Sequence, residues 1–105
     1  MKGYWIVKAN TINAAKQNEY APLASVAVKK YGGKYLVRGG ENITKEGLEY
    51  ERNVVIEFDS YQLAQEAYAS EEYNYAKSIL GDDKDRILTV AVSYTHLTLP
   101  TILLV

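Results

Sequence analysis

The sequence predicts an α+β fold whose elements run β-α-β-β-α-β. Three observations carry that prediction. Short segments that are apolar on both faces alternate with longer segments of helical apolar spacing. Residues that cap or stop helices lie at their joints. The stretch Tyr31-Gly-Gly-Lys-Tyr-Leu-Val-Arg-Gly-Gly40 reads as a helix end, a short strand and a strand exit, each marked by paired glycines. Such pairs occur where a backbone needs positive φ or close approach.

In order, Tyr4 to Ala9 forms a strand with Tyr4 and Ile6 on one face and Trp5 and Val7 on the other. Thr11 to Asn13 offers cap residues for a helix that reaches about Tyr31, with Leu23, Ala24, Ala27, Val28 and Tyr31 on one face. Pro22 is expected to kink or restart that helix, because its ring opposes the carbonyl four residues back. Lys34 to Arg38 is the second strand, and Gly39 to Arg52 a polar connection, either a hairpin arm or a flexible loop. Asn53 to Phe58 is the third strand: Val54, Ile56 and Phe58 alternate with Val55 and Glu57. Asp59 and Ser60 can cap a helix carrying Leu63, Ala64, Ala67 and Tyr68. Ser70 restarts it as far as Leu80, with Glu71 and Glu72 in the first turn, where the helix dipole favours acids. Gly81 stops it, and Arg86 to Val90 is the fourth strand.

This order is the ferredoxin-like, split βαβ sandwich: a four-stranded antiparallel sheet with helices on one face. Its strands are apolar on both faces, so a lone domain exposes a hydrophobic patch. A homodimer with sheets face to face is the expected remedy.

The 105 residues allow one domain, and the net charge of −1 without a basic block makes nucleic acid and anionic membrane poor partners. There is no cysteine, which excludes disulfides and thiolate chemistry and suits a cytoplasmic protein. No apolar run reaches the length of a transmembrane helix, and the start does not read as a signal peptide. The 10 tyrosines suit strands, interfaces and pocket walls.

The texture changes near the C-terminus. Val92 to Val105 holds no charged residue, whereas charge is spread through the rest. The segment resembles a translated sequencing adapter, the mosaic end used in transposon-based libraries, residue for residue from Val92 to Thr101 and with a stop after Val105. The alternative is a natural apolar β-tail. We therefore expect a single domain over residues 1–90 and a non-native segment over 91–105, set aside from fold reasoning. His96, the only histidine, lies in that segment. The domain proper then has neither histidine nor cysteine, which removes a histidine base, a Ser-His-Asp triad and the usual transition-metal sites.

Several pieces, taken in order, resemble the domain of unknown function 1330 family of the dimeric α+β barrel superfamily. They are Lys2-Gly-Tyr-Trp-Ile-Val-Lys8, Tyr31-Gly-Gly33, Leu36-Val-Arg-Gly-Gly40, Asn53-Val-Val-Ile-Glu-Phe58 and Ser70-Glu-Glu-Tyr73. The resemblance spans Lys2 to about Val90. It implies a small soluble homodimer without an assigned reaction, in a superfamily that includes cofactor-free oxygenases and isomerases. The family pattern closes its last strand with Glu-Gly, and this chain departs from it at Ala91.

Arg38 is the leading candidate side chain: at a strand end beside two glycines, its guanidinium can hold a carboxylate or enolate by a bidentate pair. The alternative is an ion pair with Glu57 on a neighbouring strand, or a contact with a partner chain. Glu57, on the face opposite to Val54, Ile56 and Phe58, could serve as a base if the dimer interface buries it. Tyr31 and Tyr73, at helix ends, could orient a ligand, and Trp5 could wall its pocket; core packing is the competing role for all three. Glu71-Glu72 and Asp82-Asp83-Lys84-Asp85 read as solvated surface rather than a metal site. No phosphate-loop pattern exists, and no cofactor is implied.

The expectation is a homodimer that binds a small organic molecule, anionic or neutral, between sheet and helices. Two other readings stand beside it. One is a non-catalytic structural or interaction module. The other is a cofactor-free proton-transfer enzyme with Glu57 as base and Arg38 as oxyanion partner. Arg38 pointing into a concave pocket favours ligand binding; Arg38 and Glu57 saturating each other favours the module.

Overall fold

The computed structural model describes residues 1–94. The expectations for His96 and for residues 95–105 of the adapter-like segment lie outside the described residues. The elements are β1 (Gly3–Asn10), α1 (Ala14–Lys30), β2 (Lys34–Arg38), β3 (Arg52–Phe58), α2 (Tyr61–Ala69), α3 (Glu71–Leu80) and β4 (Asp85–Val92). The strands form one antiparallel sheet in the order β2-β3-β1-β4. This is the four-stranded ferredoxin-like sheet that the element order predicts.

Strand alternation sorts the side chains into two faces. Trp5, Val7, Val54, Ile56, Phe58, Leu88 and Val90 meet the helices, where Ala24, Ala27, Val28, Ala64, Ala67, Tyr73 and Ala76 complete the core. Trp5 sits at its centre, 4.9 Å from the Tyr73 ring and 5.4 Å from Phe58 between centroids. Its indole N–H donates to the Ala64 carbonyl at 2.8 Å, fixing α2 against β1 and satisfying a donor that burial would otherwise strand. The opposite face carries Tyr4, Ile6, Val55, Glu57 and Ile87, and no described element covers it.

The helix termini follow their caps. The side chains of Asn13, Ser60 and Ser70 accept from the backbone N–H of Lys16, Leu63 and Tyr73 at the starts of α1, α2 and α3. Ser70, with extended φ/ψ, ends α2 and begins α3. The acidic clusters prove partly engaged: Glu72 pairs with Lys30 and Asp83 with Lys16, tying α3 and the turn after it to α1.

Two local expectations are corrected. α1 continues through Pro22 instead of restarting there. The ring removes one helical bond, to the Asn18 carbonyl, and burial of Ala24, Ala27 and Val28 in the following turns favours continuing the helix. β4 runs two residues beyond Val90: Ala91 and Val92 stand opposite Tyr4 and Gly3, and Ser93 N–H donates to the Lys2 carbonyl. Backbone pairing of this kind needs no particular side chain. The 39–51 connection has no regular structure but is fastened. Glu51 N–H donates to the Asn10 side chain at 2.8 Å, and Thr11 N–H donates to the Glu51 carboxylate.

The glycine pair after α1 divides two tasks. Gly32 takes φ +76°, while a Cβ on Gly33 would lie 2.6 Å from Val28 Cγ1 and 2.9 Å from Phe58 Cε1. Gly33→Ala is therefore expected to overpack the core and lower unfolding stability by about 1–3 kcal/mol. Urea denaturation checks this; unchanged stability would show that the β2 entry can move away.

Candidate functional site

Between the sheet and α1 lies a cavity of about 80 Å³, enough for several water-sized groups. Side-chain size explains why it exists. Ala9 on β1 and Ala21 and Ala24 on α1 leave space where larger residues would close it. Trp5, Val7, Val54, Ile56 and Leu88 form an apolar floor.

The polar rim follows from strand register. Ala9 pairs with Arg52 on one side and with Arg86 on the other, so a small residue sits between two arginines on the helix-facing side. Arg38 pairs with Val54 one rung away, and all three arginines line the cavity. Among the described residues, none of the three has a carboxylate within ion-pair distance.

Arg86 is half-buried and held by tyrosines. It donates from Nη1 to Tyr20 Oη at 2.8 Å and from Nη2 to Tyr73 Oη at 3.1 Å, and the two hydroxyls lie 2.7 Å apart. The Tyr20 ring also stacks near the guanidinium, at 5.0 Å from Cζ to the ring centroid. Burial pushes the Tyr73 hydroxyl well above the ordinary tyrosine range, with neighbouring Tyr20 adding to the effect and Arg86 opposing it. Burial alone would lower the Arg86 guanidinium, but Tyr20 and Tyr73 outweigh it and raise it further. The result is a permanently charged cation beside a neutral phenol. Arg38 is exposed at the rim, stacked 4.0 Å over Tyr35 and donating to Ser25 Oγ at 2.8 Å.

The structure brings together some of the residues singled out from sequence and separates others. Arg38, Tyr73 and Trp5 all line the cavity. Tyr31 caps the end of α1, packs at the edge of the core and is not among the cavity residues. Glu57 lies on the opposite face of the sheet, where it accepts from Tyr4 Oη at 2.9 Å. Arg38 and Glu57 therefore form no ion pair, and within one protomer they do not share a site. The reason is register: Glu57 stands opposite Lys34 and Tyr4, whereas Arg38 stands opposite Val54. Sequence reasoning missed Tyr20, Arg52 and Arg86. The available signal for Arg52 and Arg86 was that each stands at the start of an apolar strand run, whereas nothing local marked Tyr20.

Tyr73 links this network to pH. The unfolded chain releases the Tyr73 proton near pH 10, while the folded protein retains it to higher pH. Its contribution to stability is thus full below about pH 10 and is lost as pH rises toward the raised folded value. Tyr73→Phe should make the alkaline fall in stability shallower by about 1.4 kcal/mol per pH unit between those two values. Denaturation curves across the alkaline range check the slope; identical slopes would mean that the hydroxyl is not buried.

Comparison with known proteins shows the same architecture. No curated protein matches the chain. A protein of unknown function from Rhodopseudomonas palustris, RPA0582, superposes with a TM-score of 0.72 at 13% identity, over 88% of this chain and 82% of that one. A dimeric protein of unknown function with a ferredoxin-like fold from Bacteroides fragilis gives 0.53 at 16% identity, over 88% and 96%. A variant of SnoaB, a cofactor-independent oxygenase from Streptomyces nogalater, gives 0.57 at 11% identity, over 94% and 97%. At these identities the likeness is one of fold. The model of the family described as domain of unknown function (DUF1330) matches residues 2–93, nearly the whole chain, and the protein belongs to that family.

Proposed function

We propose that the protein binds a small organic anion in the cavity between sheet and α1. The observation that carries this reading is the set of arginines there, Arg38, Arg52 and Arg86, without a carboxylate partner among the described residues. Partly buried cations are ordinarily paired. A guanidinium held by two neutral hydroxyls keeps its charge uncompensated, which favours an incoming anion. The aliphatic floor favours an organic body on that anion. Arg38 at the cavity rim, unpaired with Glu57, supports ligand binding over the closed interaction module.

The reading includes a homodimer through the uncovered sheet face. Ile6, Val37 and Ile87 are 43%, 42% and 49% exposed there, around half-buried Tyr4 and Val55. A second copy would cover this apolar surface and the Tyr4–Glu57 hydrogen bond with it. The Bacteroides fragilis neighbour is itself described as dimeric. In this arrangement Glu57 belongs to the interface and Arg38 to the ligand site. The working unit is the domain over residues 1–90, with no role for the side chains of the adapter-like segment, whose first two residues only extend the backbone pairing of β4, and a chain without cysteine suits the cytoplasm.

Two measurements test the two parts. A thermal-shift screen of small organic acids against neutral analogues should find acids that raise the melting temperature. Arg86→Gln should weaken their binding at least roughly tenfold, with Arg38→Ala giving a smaller loss. Unchanged affinity in Arg86→Gln would remove the cavity as the site. Light scattering should give twice the chain mass, falling to the monomer in Ile6→Lys; a monomeric parent would reject the dimer.

A further inference from the structure

The Tyr20–Tyr73–Arg86 cluster contains more donors than it can satisfy internally. A guanidinium has five N–H groups and a phenol one O–H. Arg86 uses Nη1 on Tyr20 and Nη2 on Tyr73, so each hydroxyl oxygen already accepts one bond. The 2.7 Å contact between the hydroxyls consumes one O–H hydrogen. The other O–H has no acceptor among the described residues.

Energetics place that remaining hydrogen. Tyr73 is 0% exposed, whereas Tyr20 is half-buried, and both line the cavity. A fully buried donor without a partner costs about 1–3 kcal/mol. The lower-energy arrangement has Tyr73 donating to Tyr20 and Tyr20 directing its own hydrogen into the cavity. Tyr20 then accepts from a cation and from a second hydroxyl, which polarises its O–H and strengthens it as a donor. On the rim Arg38 and Arg52 also offer only donors, beside the mixed donors and acceptors of Asn10, Thr11 and Gln17. The one carboxylate among the described lining residues, Asp85, accepts from the Asn10 amide at 3.0 Å and makes no ion pair with the three arginines.

We propose that the ligand carries a carboxylate head, accepting from the Tyr20 hydroxyl and from unused N–H groups of Arg86, with its apolar body on the Val7, Val54 and Leu88 floor. This rests on the reading that the cavity binds an organic anion and narrows it to one chemical class. A carboxylate is acceptor-only and planar, so it matches a guanidinium edge with one adjoining hydroxyl. A tetrahedral phosphate needs donors on further sides, and an amide or alcohol brings hydrogens to a site already rich in them. Tyr73 is a positioning residue that acts through Tyr20.

The test is calorimetric titration with matched probes: isobutyrate against isobutyramide, benzoate against benzamide, and phenylphosphonate as the tetrahedral anion. At least one carboxylate should bind roughly tenfold or more tightly than its amide, about 1.4 kcal/mol. Tyr20→Phe, which keeps the ring over Arg86, should shrink that ratio severalfold, and Tyr73→Phe should shrink it less. Amides binding as well as acids, or an unchanged ratio in Tyr20→Phe, would overturn the carboxylate assignment while leaving a ligand cavity standing. Phenylphosphonate binding in preference to both carboxylates would also overturn it and retain the organic anion. Absence of binding by every probe at millimolar concentration would overturn both readings.

Discussion

Tyr73 joins the core to the cavity, and most of the rest depends on where it is held. Its ring packs beside Trp5 at the centre of the core, and its hydroxyl meets Tyr20 and Arg86 at the polar end. Its backbone N–H is fixed by the Ser70 cap that starts α3. One residue thereby sets the position of a helix, closes the aromatic core and orients a guanidinium. Deep burial forces its hydroxyl to remain neutral, which leaves Arg86 charged without an internal counter-ion.

The sheet separates two roles by the parity of its residues. Odd positions of β1 face the helices and supply Trp5, Val7 and Ala9; even positions supply Tyr4 and Ile6 to the open face. The same alternation on β3 sends Ile56 inward and Glu57 outward. A side chain's chemistry is therefore decided by its register as much as by its type. Among the arginines, Arg52 and Arg86 flank Ala9, and that small residue leaves room for their heads above the apolar floor. The Lys30–Glu72 and Lys16–Asp83 pairs fasten the helices elsewhere, leaving these arginines out of structural ion pairs.

Local signals made the fold readable. Apolar alternation marked the strands, Ser60 and Ser70 marked helix starts, and glycine pairs marked exits. Of the two outcomes expected at Pro22, the restart does not occur, because a missing bond and a ring clash are local penalties while burial of the turns around them is a tertiary gain. The site was less readable. Arg38 was conspicuous through its neighbouring glycines, whereas Arg86 opens β4 after an acidic turn and looks like an ordinary surface charge. Its partners are distant in sequence: Tyr20 lies 66 residues away and Tyr73 13. Only the pairing of β4 with β1 and the packing of α1 on α3 bring them together. The suspected partnership of Arg38 with Glu57 failed for the same reason, since neither residue's face could be related to the other's without the register.

An arginine held by two tyrosines presents its remaining donors to an organic acid in this proposal. Crystals soaked in benzoate test it most directly. A carboxylate should occupy the cavity, with oxygens within hydrogen-bond distance of Tyr20 Oη and Arg86 and the ring against Val7 and Leu88. An empty cavity at saturating benzoate, with Arg86 turned to solvent or paired to a carboxylate of the protein, would contradict it.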